Sequence, residues 1–275
     1  MPVEIPKQIG KWSCHKLECF ADFIEAYART LKNNTCYYLE LYSGCGSCIG
    51  KDTNCHIDDS EIRALKTGVK FAGYIFIARD SDDAENLKRL AAPYQEDNKI
   101  EIITGNCINE KVLSQLFDLI PRSASSFALI DPGGYRSLRW TTIKKLAMCG
   151  SDLKGNKTDL LIIFPLEMAL LRNLTRPECE ASITRLYGNH KWLEIKQAWA
   201  DGEIEPDEAR KRLVELFEAG LKELGYRHIT DFEPKFSSPT FYHAIMASDR
   251  DTAGKIMEET WGKPRYLPCE LLYDR

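Results

Sequence analysis

Apolar runs and helical segments alternate along the chain, and this alternation predicts an α/β protein. Five runs are short and mostly apolar, as strands are when helices cover both faces of a sheet: 36–42, 71–78, 99–104, 126–130 and 159–164. The segments between them that are predicted as helices are 61–66, 83–90, 109–119 and 141–148. Strands that alternate with helices indicate βαβ units and a mostly parallel, doubly wound sheet.

Both ends of the chain depart from this repeat. An amphipathic helix is predicted at 13–32, because apolar residues recur there every three or four positions. After the first strand, the polar, Gly- and Cys-containing segment 43–57 is predicted as a loop. Near the C-terminus, two strand-like segments at 226–236 and 240–247 have a short connection, which favours an antiparallel hairpin. A last helix is predicted at 252–261.

These elements favour one domain over two, because no low-complexity linker or internal repeat interrupts them. We expect a single domain over 1–275, with a core of about 36–165 and 226–261. The segment at about 170–224 is rich in predicted helices and is interpreted as a helical insertion.

Composition restricts the class of function only loosely. The chain has 275 residues, 44% hydrophobic and 28% charged, and a net charge of −4. Such a charge provides no global basic field, so tight nonspecific binding of nucleic acid is not expected, although a local basic groove stays open. No apolar run approaches the roughly 18 residues that span a bilayer, and the first residues lack a signal-peptide pattern. We therefore expect a cytoplasmic protein whose ten cysteines are mostly free thiols.

The first predicted strand runs into a Gly-x-Gly turn, which is typical of the floor of a nucleotide-type ligand site. Gly44 and Gly46 allow a tight turn and a close approach of ligand to backbone. Glu40 lies inside the strand, where an unpaired carboxylate is costly, and Ser43 ends it. Glu40 is a candidate for binding a cationic group or an amine, and the alternative is a salt bridge to a lysine.

The next two strand ends also carry polar residues. Asp80 follows the second strand, where a carboxylate commonly binds a ribose diol, and the alternative is the N-cap of a helix. Asn106 follows the third strand and is a candidate for reading an adenine edge, with a turn residue as the alternative.

The fourth strand ends in the sequence Asp131-Pro132-Gly133-Gly134-Tyr135. An aspartate at this position can orient an amine or accept a proton, and an aromatic residue beside it can stack on a planar substrate. Asp131 and Tyr135 are therefore candidate catalytic residues, and Pro132, Gly133 and Gly134 candidate substrate contacts. The alternative is a simple β-turn, since Asp-Pro-Gly is a good turn sequence by itself.

Cys45-x-x-Cys48 with Cys55-His56 has the residue types of a zinc site. Cys45 lies inside the glycine turn, however, where a metal would take the place of a ligand. Free thiols are the favoured interpretation, and no metal is assigned.

In sum these residues resemble the class I S-adenosylmethionine-dependent methyltransferases, which place an acid and glycines after the first strand and Asp-Pro after the fourth. Most of 10–262 more closely resembles the three-Cys-motif partner proteins. The matching motifs are Trp12 with Lys16-Leu17, Tyr38 to Gly44, Phe76-Ile77, Asp131 to Gly134 with Trp140, and Phe241 to Ser248.

The resemblance implies a Rossmann-like methyltransferase fold and S-adenosylmethionine as cofactor. It implies that Glu40, Ser43, Gly44 and Gly46 hold the methionine part, with Asp131 also near the cofactor. Trp140 joins the substrate contacts. It also implies a partner, a separate three-Cys-motif, radical-S-adenosylmethionine-like protein.

This sequence departs from the family at two strand ends. Ala78 stands where relatives more often carry the ribose-binding acid, so Asp80 must substitute for it. Asn106 stands where an aspartate is usual.

Three functions follow from these observations. The first is a methyltransferase whose acceptor is unknown, with a base amine of a nucleic acid as one option. The second is a non-catalytic scaffold on the same fold, which Ala78 favours. The third is a nicotinamide-dependent oxidoreductase, which is weaker because position 49, where a third glycine belongs, is Ile.

Overall fold

The computed structural model describes residues 7–31, 35–51, 54–148, 157–166, 170–233 and 242–262. Its strands are β1 (Lys7–Ile9), β2 (Cys36–Ser43), β3 (Ser47–Gly50), β4 (His56–Asp58), β5 (Gly73–Ala78), β6 (Ile100–Thr104), β7 (Ser125–Ile130), β8 (Asp159–Phe164), β9 (His228–Phe232) and β10 (His243–Ser248). Its helices are α1 (Lys11–Arg29), α2 (Ser60–Leu65), α3 (Ser81–Ala91), α4 (Glu110–Asp118), α5 (Trp140–Met148), α6 (Glu180–Tyr187), α7 (Trp192–Ala200), α8 (Pro206–Glu223) and α9 (Asp251–Trp261).

The main sheet has seven strands in the order β6-β5-β2-β7-β8-β10-β9. The pairs β6-β5, β5-β2 and β7-β8 are parallel, whereas β10 runs antiparallel to both β8 and β9. The predicted α/β fold with a mostly parallel sheet and a C-terminal antiparallel strand pair is therefore confirmed. The predicted connection at 237–239 lies outside the described residues.

The chain forms two compact units by its internal contacts. Unit 1 comprises Met1–Ile120 and Lys255–Arg275, and unit 2 comprises Pro121–Gly254. The expectation of a single domain over 1–275 stays a prediction.

Aromatic residues build much of the core of unit 1. Tyr38 on β2 is fully buried, and its ring lies 5.6 Å from Phe71, 5.9 Å from Tyr74 and 5.9 Å from Phe76, measured between centroids. The apolar stripe of α1 supplies Phe20, 6.5 Å from the same ring. The spacing of three and four residues in the sequence thus places one face of α1 in the core, as predicted.

The prediction of a loop over 43–57 is wrong. Within this segment β3 and β4 form an antiparallel hairpin, and β1 pairs in parallel with β3 to complete a three-stranded sheet. Cys48 is buried in a small apolar cluster with Ile9 and Leu17, against which Ile57 packs. β3 has four residues that alternate between half-buried and buried, and β4 has three residues with no buried position, so neither strand has a pattern long enough to stand out in the sequence.

The core of unit 2 is also aromatic. Phe164 at the end of β8 lies 4.7 Å from Phe217 of α8, and Tyr187 of α6 lies 6.3 Å from Phe217. The predicted helical insertion thus contributes buried residues to its own unit. No described helix is both long enough and apolar enough to cross a membrane.

Candidate functional site

The glycine turn, residues Gly44, Cys45 and Gly46, directly follows the buried strand β2. Gly46 has a φ of +84°, a left-handed conformation that glycine adopts without steric cost. A Cβ atom there would also lie 3.1 Å from Leu87, so the turn packs closely on α3. A strand, β3, follows the turn, and no helix begins there. The turn therefore lacks the helix N-terminus that binds the diphosphate in dinucleotide-binding folds.

Glu40 is 2% exposed, and its carboxylate accepts two hydrogen bonds from hydroxyl groups. The Tyr38 hydroxyl donates at 2.8 Å and the Ser60 hydroxyl at 2.6 Å. Burial, and then the Glu40 carboxylate, raise the pKa of the Tyr38 phenol, so this hydroxyl keeps its proton. Ser43, also buried, donates to the Glu40 carbonyl oxygen at 3.3 Å. These contacts hold the Glu40 carboxylate in place within the strand.

Two more carboxyl groups lie at the N-terminus of α2, on its N-cap residue and in its first turn. Asp59 is the N-cap of the helix and accepts from the Ser60 N–H at 3.0 Å, and the Cys48 thiol donates to it at 3.2 Å. Glu61 is fully buried, and one carboxyl oxygen accepts from the Gly44 N–H. A Cβ atom on Gly44 would lie 3.3 Å from an Asp59 carboxylate oxygen, so a glycine here leaves room for both acids. Glu40, Asp59 and Glu61 form what we call the acid cluster.

The pKa of Glu61 is raised by its position in the acid cluster. Burial is the main cause of the raised pKa of Glu61, and the neighbouring carboxylates of Glu40 and Asp59 raise it further. Hydrogen bonds from backbone N–H groups, including that of Gly44, act in the opposite direction and are weaker. The second carboxyl oxygen of Glu61, Oε2, is buried and has no hydrogen-bond partner among the described residues. Burial and the two neighbouring carboxylates therefore disfavour the ionised form of Glu61.

The raised pKa of Glu61 predicts how stability depends on pH. The folded protein holds this proton at pH values where the unfolded chain has released it, so stability falls as pH rises from about 4.3 through the raised pKa. Glu61→Gln removes the titration and should therefore gain stability relative to the wild type as pH increases, by about 1.4 kcal/mol per unit of pKa shift. Chemical denaturation at several pH values measures the difference, and a difference that does not change with pH would contradict the assignment.

The polar residues that follow the next two strands of unit 1, Asp80 and Asn106, are exposed. Asp80 stands at the N-cap position of α3, but its side chain makes no capping hydrogen bond, so the structure does not show the alternative role of a capping side chain. Ala78, the last residue of β5, is fully buried. Asn106 accepts a hydrogen bond from the Ile108 N–H at 3.1 Å and so acts as a turn residue. The roles of Asp80 toward a ribose and of Asn106 toward an adenine stay predictions.

The cysteines near the glycine turn are free thiols. Cys45 donates to the Ser47 carbonyl at 3.1 Å, and burial, followed by the Asp59 carboxylate, raises the pKa of the Cys48 thiol. A raised pKa disfavours the thiolate that zinc requires. Within the described ranges, no group of three His, Cys, Asp or Glu side chains is arranged to hold a metal ion.

In unit 2, the segment after β7 forms a short 3₁₀ turn at Tyr135–Ser137. Asp131 is half-buried, Pro132 is buried and Gly133 is exposed, with open space where a Cβ atom would stand. Tyr135 is 2% exposed, so its ring lies in the interior of unit 2. The proposed stacking of Tyr135 on a planar substrate would require this turn to move.

The Tyr135 hydroxyl is part of a small polar group. The Arg136 Nε–H donates to it at 3.3 Å, and another N–H of Arg136 donates to the Cys179 sulfur at 3.3 Å. Burial raises the pKa of Tyr135. The pKa of the Cys179 thiol is lowered by its hydrogen bond with the Tyr135 hydroxyl and, to a lesser extent, by Arg136. The predictions for Asp131 and Tyr135 in catalysis are not tested by these contacts.

Trp140 packs inside unit 2 between two glycines. Its ring lies 5.5 Å from that of Phe217, and Cβ atoms on Gly188 and Gly220 would lie 2.3 and 2.7 Å from its atoms. These contacts give Trp140 a packing role, and its proposed contact with a substrate stays a prediction.

Two acids beside the glycine turn, Asp59 and Glu61, are not identified as site residues by the sequence. The sequence predicts a helix at 61–66, but nothing in it relates Asp59 or Glu61 to the glycine turn. Their approach to the glycine turn depends on the hairpin of β3 and β4, which returns the chain to that turn: the Asp59 N–H donates to the Gly46 carbonyl at 3.1 Å.

The sequence matches no protein-family model and no curated protein. Its fold is similar to that of protein LPL1258 from Legionella pneumophila, described as DUF519, with a TM-score of 0.50 and 13% identity over 88% of this chain and 91% of that one. It is also similar to an O-methyltransferase from Bacillus cereus in complex with SAH (TM-score 0.43, 8% identity, 87% and 82% coverage). A third similar structure is the METTL16 MTase domain (TM-score 0.43, 11% identity, 84% and 65% coverage).

The strand order and the likeness to the Legionella protein concern the fold alone. Together they show an α/β fold with a seven-stranded, mostly parallel sheet.

Proposed function

We propose that this protein binds S-adenosylmethionine at the glycine turn of unit 1 and acts as a methyltransferase. The observation that carries the proposal is the acid cluster beside that turn. A cofactor with a sulfonium and an ammonium group suits carboxylates, whereas the diphosphate of a dinucleotide would be repelled by them. The absence of a described helix start directly after Gly46 argues against a dinucleotide in the same way.

The proposed roles within unit 1 follow from the chemistry of each side chain. Glu40, Ser43, Gly44 and Gly46 would hold the methionine part, because they supply a fixed carboxylate and a turn that a ligand can approach closely. Two exposed residues supply the remaining contacts in this proposal, Asp80 for the ribose and Asn106 for the adenine. The Asn106 carbonyl oxygen already accepts from Ile108, but its N–H₂ group can still donate.

Asp131 and the glycines that follow it are the proposed acceptor residues. The cofactor supplies an electrophilic methyl group when bound, and transfer is a displacement in which positioning provides much of the rate. Asp131 would orient the acceptor amine or take its proton, and the open space at Gly133 leaves room for an approaching substrate. A base amine of a nucleic acid is one acceptor of this class, and it would have to be unstacked first.

A second candidate is a non-catalytic scaffold that binds a three-Cys-motif, radical-S-adenosylmethionine-like partner. The specific observation in its favour is Ala78, a buried methyl group where a ribose-binding acid is expected. This candidate predicts a weak or absent cofactor contact together with an intact fold.

Thermal melting with S-adenosylmethionine, S-adenosylhomocysteine and NAD separates these functions. A ligand at about a hundred times its dissociation constant stabilises the folded state by roughly 2.7 kcal/mol. We expect a rise of several degrees with the two sulfur-containing ligands and no rise with NAD. No shift with either sulfur-containing ligand would favour the scaffold, and a shift with NAD alone would overturn the assignment of the cofactor.

A further inference from the structure

Positive charge is concentrated in two segments of unit 2. Residues 132–148 contain four basic residues and no acid, and residues 170–177 contain two arginines and no acid. The whole chain has a net charge of −4, so these segments carry a charge opposite in sign to that of the protein. A local excess of positive charge on an acidic protein attracts an anionic partner to that part of the surface.

The structure brings the two segments together at Cys179. An N–H of Arg136 donates to the Cys179 sulfur at 3.3 Å, and the Cys179 thiol donates to the side-chain oxygen of Asn173 at 3.7 Å. The backbone N–H of Cys179 donates to the Arg176 carbonyl at 3.0 Å. The arginine patch, as we call it, comprises the two arginines of these contacts and the two that stand within three positions of a contact residue: Arg136, Arg176, Arg139 and Arg172.

The arginine patch is not neutralised by carboxylates. Within the described ranges none of its four members forms an ion pair, whereas four other arginines of unit 2 each pair with an acid: Arg210, Arg212, Arg227 and Arg250. The side-chain partners of Arg136 are the Tyr135 hydroxyl and the Cys179 sulfur. The acids nearest in sequence are Asp131 and Glu178. The patch therefore has a net positive charge even when both acids are ionised.

Arg139 is the member of the patch that the fold satisfies least. Its side chain is half-buried, and its Nε atom is buried without a hydrogen-bond partner among the described residues. A buried N–H of a charged group without an acceptor costs free energy. A ligand that presents anionic oxygen atoms at this position would supply the missing acceptor.

We propose that the arginine patch binds the phosphate backbone of a single-stranded nucleic acid and brings one of its bases to the exposed turn at Gly133. This inference rests on the proposed function, because it names the class of methyl acceptor. The planar guanidinium group suits phosphate, since it donates two parallel hydrogen bonds to one phosphate group. Four arginines on two segments of the chain match a row of phosphates better than a single one.

The position of the patch supports a base as the acceptor group. Gly133 lies three positions before Arg136, is exposed, and has open space where a Cβ atom would stand. A strand whose phosphates contact the arginines can therefore direct a neighbouring base to this turn. A single strand is favoured over a duplex because its base reaches the turn without first being unpaired.

Fluorescence anisotropy with a labelled oligonucleotide of about 12 nucleotides tests the inference without any cofactor. Single-stranded RNA and single-stranded DNA of the same mixed sequence are each titrated at several salt concentrations. We expect binding at low salt, and a plot of log affinity against log salt concentration with a slope of about −3 if each of the four arginines contacts one phosphate. Binding of neither oligonucleotide to the wild type at low salt would overturn the inference.

Arg139→Gln and Arg172→Gln each remove one of the proposed phosphate contacts. Each should weaken binding several-fold and make the salt slope shallower by about 0.7. Arg172 is exposed, so its variant keeps the test valid if the half-buried Arg139 variant folds poorly. Arg212→Gln is the matched control, because Arg212 is an exposed arginine of α8 in the same unit and pairs with Glu208 at 2.7 Å. This control removes the same charge and should change neither the affinity nor the slope.

The outcomes separate this inference from the proposed function. Equal losses in Arg172→Gln and Arg212→Gln would show that overall charge governs binding and would overturn the role of the patch. Vesicles of anionic lipid that bind the wild type, when neither oligonucleotide does, would replace the nucleic acid by a membrane surface. A melting shift with S-adenosylhomocysteine but no oligonucleotide binding would overturn the inference and leave the cofactor assignment standing. Oligonucleotide binding without that shift would support the patch and count against the cofactor.

Discussion

Gly188→Ala is expected to lower the free energy of unfolding by about 2–4 kcal/mol. Gly188 follows α6 with a φ of +69°, a left-handed conformation that costs alanine about 1–2 kcal/mol. The new Cβ atom would also lie 2.3 Å from a ring atom of Trp140. The ring sits against Phe217 and beside Gly220, so it has little room to retreat. Thermal melting followed by tryptophan fluorescence measures the loss.

Gly202→Ala is the matched control for this substitution. Its φ of +71° is nearly the same, but nothing lies within 4 Å of the position where a Cβ atom would stand. It should therefore lose only the stability that the left-handed backbone costs an alanine, about 1–2 kcal/mol. Equal losses in the two variants would show that Trp140 does not fill a tight slot.

Glu40→Gln is expected to weaken the binding of S-adenosylhomocysteine more than tenfold, which corresponds to a loss of more than about 1.4 kcal/mol in binding free energy. The substitution removes a buried charge that the Tyr38 and Ser60 hydroxyls hold in place at 2.8 and 2.6 Å. It also leaves one of these hydroxyls facing an amide N–H₂ group, at a cost to stability of about 1–3 kcal/mol. Calorimetric titration measures the affinity, and thermal melting measures the stability.

Glu101→Gln provides the comparison for Glu40. Glu101 is a half-buried glutamate on β6, a strand in the same parallel sheet of unit 1. It should keep full affinity. An affinity that falls equally in both variants would mean that a general loss of negative charge, and not the position of Glu40, governs binding.

The order of strands and helices could be predicted from the sequence because each element has its own local signal. Strand β8 begins and ends where its apolar run does, and the two C-terminal strands pair antiparallel as their short spacing suggested. Asp59 caps α2 as its residue type predicts. Glu40 could be assigned to the interior of a strand, and its burial followed from that position.

The surroundings of the glycine turn could not be predicted because they depend on contacts distant in sequence. Glu61 reaches the Gly44 N–H across 17 positions, and only the unforeseen hairpin of β3 and β4 makes that approach possible. The sequence makes Tyr135 a candidate for stacking on a planar substrate, but in the structure its side chain is buried in unit 2. Neither placement has a local signal in the residues around it.

The central claim is that the glycine turn and the acid cluster bind the methionine part of the cofactor. A crystal structure of the protein grown with S-adenosylhomocysteine tests it most directly. The methionine ammonium should lie beside Gly44 and Asp59, within hydrogen-bonding distance of an oxygen atom of the turn or of the cluster. A ligand bound elsewhere on the protein, or one whose adenosine end occupies the turn, would contradict the claim.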